Sequence, residues 1–263
     1  MLSRLAFVCN DLIIVHAIIR NMFSLRYSRM SALKEIGISG LETLQKSTIS
    51  IIGMGATGSS AAELFARNGA GKIKIADPDT VDISNLHRQV LYSEEDVGNL
   101  KVESAKRKLS AINNSLAVET NAGKIDNTNV DRFCSGSSII IDGTDNMESR
   151  RVLNKYSTRS GIPWVFTSAI GTAGQIKLIV PGRSACLQCM GIRFDTPDMR
   201  CEDVGVLASA PHMVGSIAWT LAIRYLIRGE LKDEIIYLDA SLPEIVHIKT
   251  QRDIACEVCG NVS

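Results

Sequence analysis

Apolar and polar positions alternate along this chain in rhythms that mark out its elements. Thr48–Ile52 (TISII) is a short β-branched run of strand length. Gly53-Met-Gly55-Ala-Thr-Gly58 follows it directly, and residues 59–68, rich in Ala, Glu and Leu, end in an Asn68-Gly69 C-cap signal. A second strand, Lys72–Ala76, is closed by Asp77-Pro78-Asp79. Strand, glycine turn, helix and strand in that order make a βαβ unit. Residues 99–112 read as an amphipathic helix, with Val102, Ala105, Leu109 and Ile112 on one face. Strands are predicted at 116–120, 137–141 and 163–167, with a helix over 147–160 between the last two. The texture then changes. An antiparallel-type strand at 174–181 leads into a cysteine-bearing loop over 182–211, a long apolar helix at 212–228, and strands at 235–239 and 245–250.

These elements predict an α/β fold, Rossmann-like and doubly wound, whose mainly parallel sheet is continued by antiparallel C-terminal strands. Residues 23–263 are expected to form one domain, its nucleotide-binding part at about 48–170 and its C-terminal part at about 171–263. Residues 1–22 are apolar, but Asn10, Asp11 and His16 interrupt them and no small-residue cleavage site follows. They read as an N-terminal extension rather than a membrane span. A cytoplasmic protein is therefore expected, where paired cysteines more often hold metal than form disulfides. With 29 Lys and Arg against 28 Asp and Glu, the chain lacks the positive charge that bulk nucleic-acid binding needs. Aromatics at 5% leave little material for base-stacking platforms.

In the glycine turn, Gly53 permits the tight bend, Gly55 lets a ligand approach the backbone, and Gly58 allows close helix–strand packing. The helix N-terminus offers N–H groups and a positive dipole to phosphate. Asp77, at the end of the next strand, is placed to accept hydrogen bonds from a ribose. These features suit an adenosine group without separating NAD from ATP. The stretch that follows does separate them. Asp79, Asp82, Ser84, Asn85, Arg88 and Gln89 crowd a place where nicotinamide needs an apolar slot. Arg88 and Lys101 supply positive charge, and Asn85 a neutral amide, as a polyphosphate requires. Asp145, at another strand's carboxyl end, makes sense beside polyphosphate when Mg²⁺ bridges the two.

Cys186-Leu-Gln-Cys189 and Cys256-Glu-Val-Cys259 are two C-x₂-C knuckles. Together they can complete a closed Cys₄ site, which points to structural zinc holding the C-terminus to the preceding loop. Cys9 and Cys134 read as filler. Cys201 lies in a polar loop beside Arg200, with Glu202 and Asp203 opposing any stabilisation of its thiolate. By spacing alone it is an inert loop thiol.

In this order the motifs resemble those of the MoeB/ThiF/HesA family, prokaryotic relatives of ubiquitin-activating enzymes. The resemblance runs from Arg26 to Gly260 and rests on Arg26-Tyr-Ser-Arg29, the glycine turn and Asp77-Pro-Asp79-Thr-Val. It continues through Ser84-Asn-Leu-His-Arg88-Gln89, Val97-Gly-Asn-Leu-Lys101, Asp142-Gly-Thr-Asp145-Asn146, both knuckles and Cys201-Glu-Asp-Val-Gly205. It implies adenylation of the C-terminal glycine of a small β-grasp, ubiquitin-like carrier ending in Gly-Gly, giving an acyl-adenylate and pyrophosphate. On that resemblance Asp77 holds the ribose, and Asn85, Arg88 and Lys101 the phosphates. Asp79, Ser84, Gln89 and Asn146 complete the ATP site, and Asp145 holds Mg²⁺. A homodimer is implied, with Arg26 or Arg29 reaching the partner's ATP. Cys201 takes the place of the crossover-loop cysteine that links covalently to the carrier in sulfur-transferring relatives, as a thioester or acyl disulfide, whereas other relatives release the acyl-adenylate without using such a cysteine. Met30 and Met190 depart from the family's usual Gln and Leu, away from the chemistry. An oxidoreductase and a non-catalytic zinc-binding partner remain as alternatives. Neither nucleic acid nor membrane is expected as a partner.

Overall fold

The computed structural model describes residues 25–192 and 204–260. It divides into two compact units, residues 1–43 and 44–263. In the first, the short helix α1 (Ser28–Ser31) follows Arg26, and the helix α2 (Gly37–Lys46) spans the division.

The second unit is built on an eight-stranded sheet in the order β3-β2-β1-β4-β5-β6-β7-β8. Its strands are β1 Thr48–Ile52, β2 Lys72–Ala76, β3 Ala117–Asn121, β4 Ile139–Asp142 and β5 Trp164–Ile170, followed by β6 Ala173–Ile179, β7 Glu234–Asp239 and β8 Glu244–Lys249. The strands from β3 to β5 pair in parallel, and those from β5 to β8 antiparallel. This is the predicted mixed architecture. Burial explains why the pattern was readable. The central β4 is buried throughout, and so is β1 beyond its first residue, so both are rich in isoleucine on both faces, with the buried Ser50 hydroxyl bonded to that of Ser137. The edge strand β8 is exposed along its whole length.

The helices of this unit are α3 (Ala56–Arg67), α4 (Lys101–Ile112), α5 (Val130–Cys134), α6 (Met147–Ser160) and α7 (Ser209–Arg228). Helix α3 starts three residues before the sequence predicts. Gly55 caps it in an extended conformation (φ −70°, ψ −154°), so the glycine turn itself launches the helix. Helix α5 is too short to show a period, and Cys134, expected near a helix end, is its buried last residue, as a filler cysteine should be. Helix α7 packs on α3 so closely that a Cβ at Gly215 would lie 2.9 Å from the Ser60 Cβ and 3.0 Å from the Thr57 carbonyl oxygen. No helix among the described residues is long and apolar enough to cross a membrane.

The strand order reverses between β1 and β4, one leading to β2 and the other to β5. In an open parallel sheet the loops at the carboxyl ends on either side of that point diverge and leave a crevice. Here those loops are the glycine turn after β1 and the Gly143–Asn146 segment after β4.

Candidate nucleotide cleft and cysteine cluster

The crevice is a cleft of about 1100 Å³. Its floor is three glycines in contact. Gly53 adopts φ +90°, and a Cβ there would sit 2.5 Å from the carbonyl carbon of Gly143. A Cβ on Gly58 would lie 1.9 Å from the Gly53 carbonyl oxygen, and one on Gly143 2.3 Å from the same oxygen. Backbone meets backbone at all three points, so no side-chain movement can relieve a substitution. Gly58→Ala is therefore expected to destabilise by more than the ~1–3 kcal/mol of ordinary overpacking, read as a fall in Tm together with lost ATP binding. Gly55 behaves differently. A Cβ there would meet only the Gln89 Nε2 at 3.9 Å, so its glycine leaves open space above the turn rather than solving a packing problem.

That open space faces the start of α3, which has neither a side-chain cap nor an acidic residue in its first turn. Its first N–H groups and positive dipole end remain available to an anion. Gln89, also lining the cleft, is 4% exposed, and its Oε1 has no hydrogen-bond partner. A buried orphan amide oxygen beside an uncapped helix start and an open glycine suits a polar ligand.

Asp77 is buried; its Oδ2 accepts from the Met54 N–H at 2.6 Å and its Oδ1 from the Asp79 N–H at 2.8 Å. It clamps the glycine turn to the end of β2. Burial pushes its carboxyl up from the ordinary carboxylate range, while nearby Lys101 and these two N–H donors oppose the shift. Lys101 opens α4 with its side chain 8% exposed, and donates from Nζ to Asp79 Oδ2 at 2.8 Å. Arg88 donates to the Ser84 carbonyl oxygen at 2.8 Å. Asn85 accepts from the Asp82 N–H at 3.2 Å through Oδ1, which leaves its amide N–H groups as what it offers a ligand. Asn146 is fixed in the same way, its Oδ1 capping α6 by accepting from the Ser149 N–H at 2.9 Å. Asp145 lies on the opposite wall, exposed, with the Asn146 amide 3.5 Å away.

Every residue expected to touch ATP therefore lines this cleft, except Gly58, which lies beneath its floor. Arg26 and Arg29 belong to the first unit, where both are exposed. Cys201 lies outside the described residues.

Several cleft-lining residues were not singled out by the sequence, Arg150 and Gln175 among them. Arg150, in the second turn of α6, is 7% exposed and donates to the carbonyl oxygens of Thr144 (2.9 Å) and Thr167 (3.1 Å). Its Nε reaches the fully buried Asp142 at 3.4 Å. Asp142 in turn accepts from the Thr144 N–H (2.9 Å) and hydroxyl (2.7 Å). Burial drives the Asp142 carboxyl up and the Arg150 guanidinium opposes that, so the pair is a buried brace under the loop carrying Asp145. At the far end, Val206 bridges Gly171 in the β5–β6 turn and lines the cleft with Gln175 and Pro211.

Outside the cleft, Cys186, Cys189, Cys256 and Cys259 converge, with all four sulfurs within 4.8 Å of one another. The Cys186–Cys189, Cys186–Cys256 and Cys189–Cys259 sulfur separations are 3.8, 3.7 and 3.3 Å. Four thiolates about 2.3 Å from one tetrahedral zinc ion would stand roughly 3.8 Å apart. The donor set and spacing fit zinc. Asp233 holds the first knuckle from outside, accepting from the Ala185 N–H at 3.0 Å and from the buried Lys177 Nζ at 2.6 Å. Arg252 ties in the second by donating to the carbonyl oxygens of Cys259 (2.7 Å) and Gly182 (3.1 Å).

Comparison with known proteins gives a consistent result. The ThiF family model matches residues 27–258. The chain is 33% identical over 239 residues to the sulfur carrier protein ThiS adenylyltransferase of Bacillus subtilis (strain 168), covering 89% of this chain and 71% of the relative. It is 31% identical to the molybdopterin-synthase adenylyltransferase of Salmonella typhimurium, covering 90% and 96%. With the SAMP-activating enzyme E1 of Haloferax volcanii it shares 34% identity, over 89% and 88%. The crystal structure of E. coli MccB with MccA-N7isoASN superposes with a TM-score of 0.80 at 24% identity, covering 90% of this chain and 75% of that one, a likeness of fold.

Proposed function

The chain belongs to the ThiF family, and from that premise we propose that it adenylates the C-terminal glycine of a small ubiquitin-like carrier protein ending in Gly-Gly. The observation that carries this reading is the convergence in one cleft of an open glycine turn, an uncapped helix start, the cations Arg88 and Lys101, and the exposed Asp145 carboxylate. ATP lies with its phosphates over Gly55 and the first turn of α3, and its ribose toward Asp77. Arg88, Lys101 and the amide N–H groups of Asn85 bind the phosphate oxygens. The carrier's terminal carboxylate enters from the Gln175, Val206 and Pro211 end and attacks the α-phosphorus; pyrophosphate leaves and the acyl-adenylate remains.

The carrier carboxylate is already a nucleophile at neutral pH, so the protein need not supply one. What the reaction needs is alignment and stabilisation of charge moving onto the leaving pyrophosphate. Lys101 is suited to that role: it starts a helix, is largely buried, and is held toward the cleft by Asp79. Asp145 and, through solvent, its neighbours would hold Mg²⁺, which supplies Lewis-acid neutralisation of the phosphate charge. A second copy of the chain contributes Arg26 or Arg29 to the nucleotide. After adenylation, the Cys201 thiolate attacks the acyl carbonyl and AMP leaves, forming a thioester.

ATP–pyrophosphate exchange, measured with purified protein and each Gly-Gly-ended carrier of the same cell, tests the reading. Exchange stimulated by one carrier is expected; exchange with none, in protein that binds ATP, overturns it. Cys201→Ala is expected to keep the exchange rate within about twofold, because the cysteine acts after adenylation. It should lose the covalent carrier adduct seen by intact-mass measurement. Loss of exchange in that variant would place the cysteine in the adenylation step instead.

A further inference from the structure

Asn154 is out of place by every local rule. It occupies the middle of α6, where Asn is a poor helix former, and it is 1% exposed, where an amide is costly to bury. Only half of that amide is satisfied. Its Oδ1 accepts from the N–H of Leu187 at 3.1 Å, while its Nδ2 is buried with no hydrogen-bond partner. The Leu187 contact fixes the orientation of the amide, since an N–H must meet the oxygen rather than the nitrogen. Leu187 is the residue after Cys186 in the first knuckle. Burial disfavours the Cys186 thiolate, and the Asn154 amide is among the groups that favour it. The unpaired donor therefore stands next to a cysteine of the four-sulfur cluster.

Four thiolates on one divalent cation carry a net charge of about −2, and this cluster is packed among Leu153, Tyr156, Leu187 and Ile235. Such a charge needs N–H donors around it. The backbone provides some: the Asp253 N–H reaches the Cys189 sulfur at 3.4 Å, and the Val258 and Cys259 N–H groups serve Cys256. We propose that Asn154 is the outer-shell donor of the metal site, its Nδ2–H hydrogen-bonded to the Cys186 thiolate, so that one amide both supports the metal and docks the first knuckle on α6. This rests on the reading of the cluster as a zinc site. It gives a positioning residue to the metal from the same helix whose N-cap, Asn146, adjoins Asp145.

Asn154→Asp separates the two halves of the amide, because it keeps the acceptor for Leu187 and removes the donor. Zinc affinity, measured by competition with a chromogenic chelator, is expected to fall about 10–100-fold in Asn154→Asp and in Asn154→Ala. In wild-type protein loaded with ¹¹³Cd, the Asn154 side-chain amide proton is expected to show scalar coupling to the metal across the N–H···S bond. This second readout stands even where a variant does not fold. Wild-type affinity in Asn154→Asp, or no coupling in the cadmium form, overturns the proposal while leaving the metal site standing. Wild-type protein purified without zinc and unable to take it up overturns the metal reading and this one with it.

Discussion

Asp145→Ala is expected to lower carrier-dependent ATP–pyrophosphate exchange by at least about 10³-fold while leaving the Tm unchanged to within a degree or two. The two halves of that result have separate causes. Asp145 is exposed, and among the described residues its carboxylate accepts from the Asn146 amide, at 3.5 Å. The cap of α6 is made by Asn146 and the loop is braced by Asp142 and Arg150, so truncating Asp145 removes no structural bond. Surface substitutions of that kind are usually worth less than about 0.5 kcal/mol. The charge is another matter, because a metal bridging ATP phosphates loses its protein anchor. Asp142→Ala makes the instructive contrast. That carboxylate is fully buried against Arg150, and deleting it strands a buried guanidinium at a cost of about 3–5 kcal/mol. Asp142→Ala should thus lose Tm and activity together, and Asp145→Ala activity alone. Wild-type exchange in Asp145→Ala removes the magnesium assignment.

The two aspartates also show what could and could not be read from the chain. Both stand in one short motif, Asp142-Gly-Thr-Asp145-Asn146, and the sequence points to Asp145 as the cleft carboxylate without giving Asp142 a role. Register separates them: Asp142 is the last residue of β4 and pairs with Ile52, inside the sheet, whereas Asp145 lies beyond the strand end. The glycine turn was legible because its demands are local, an open backbone and a helix start within six residues. Arg150 was not, because its partners Thr144 and Thr167 flank it on separate elements and a helix-borne arginine is ordinarily a solvated charge. Asn154 was silent for the same reason. Asn85 and Asn146 were legible as ligands but not as the turn and cap residues they also are. Strand ends shifted by one to three residues, as at β5, which runs on to Ile170 where the Gly171 turn begins.

Replacing Cys256 and Cys259 together by serine is expected to remove bound zinc and to lower the Tm by 10 °C or more, a loss of about 3 kcal/mol or greater. The C-terminal knuckle has little else to hold it. Residues 250–260 form no helix or strand, and Ile254, in the turn before Cys256, is 84% exposed. Among the described residues, Arg252 ties the knuckle in by hydrogen bonds to the Gly182 and Cys259 carbonyl oxygens, each worth about 1.5–3 kcal/mol. The sulfurs supply the rest, since four of them brought within 4.8 Å are a cost without an ion between them. Burial pushes the Cys186 and Cys259 thiols above their ordinary range, which disfavours an empty cluster of thiolates and is reversed by a cation. The decisive comparison is therefore non-additivity. A chelator should lower the Tm of wild-type protein toward that of the double variant and leave the variant's own Tm where it is, because both treatments remove one interaction. A chelator that lowers both equally acts elsewhere, and a wild-type Tm in the double variant means that packing of Leu187, Cys186 and Ile235 against α6, not metal, holds the C-terminal part in place.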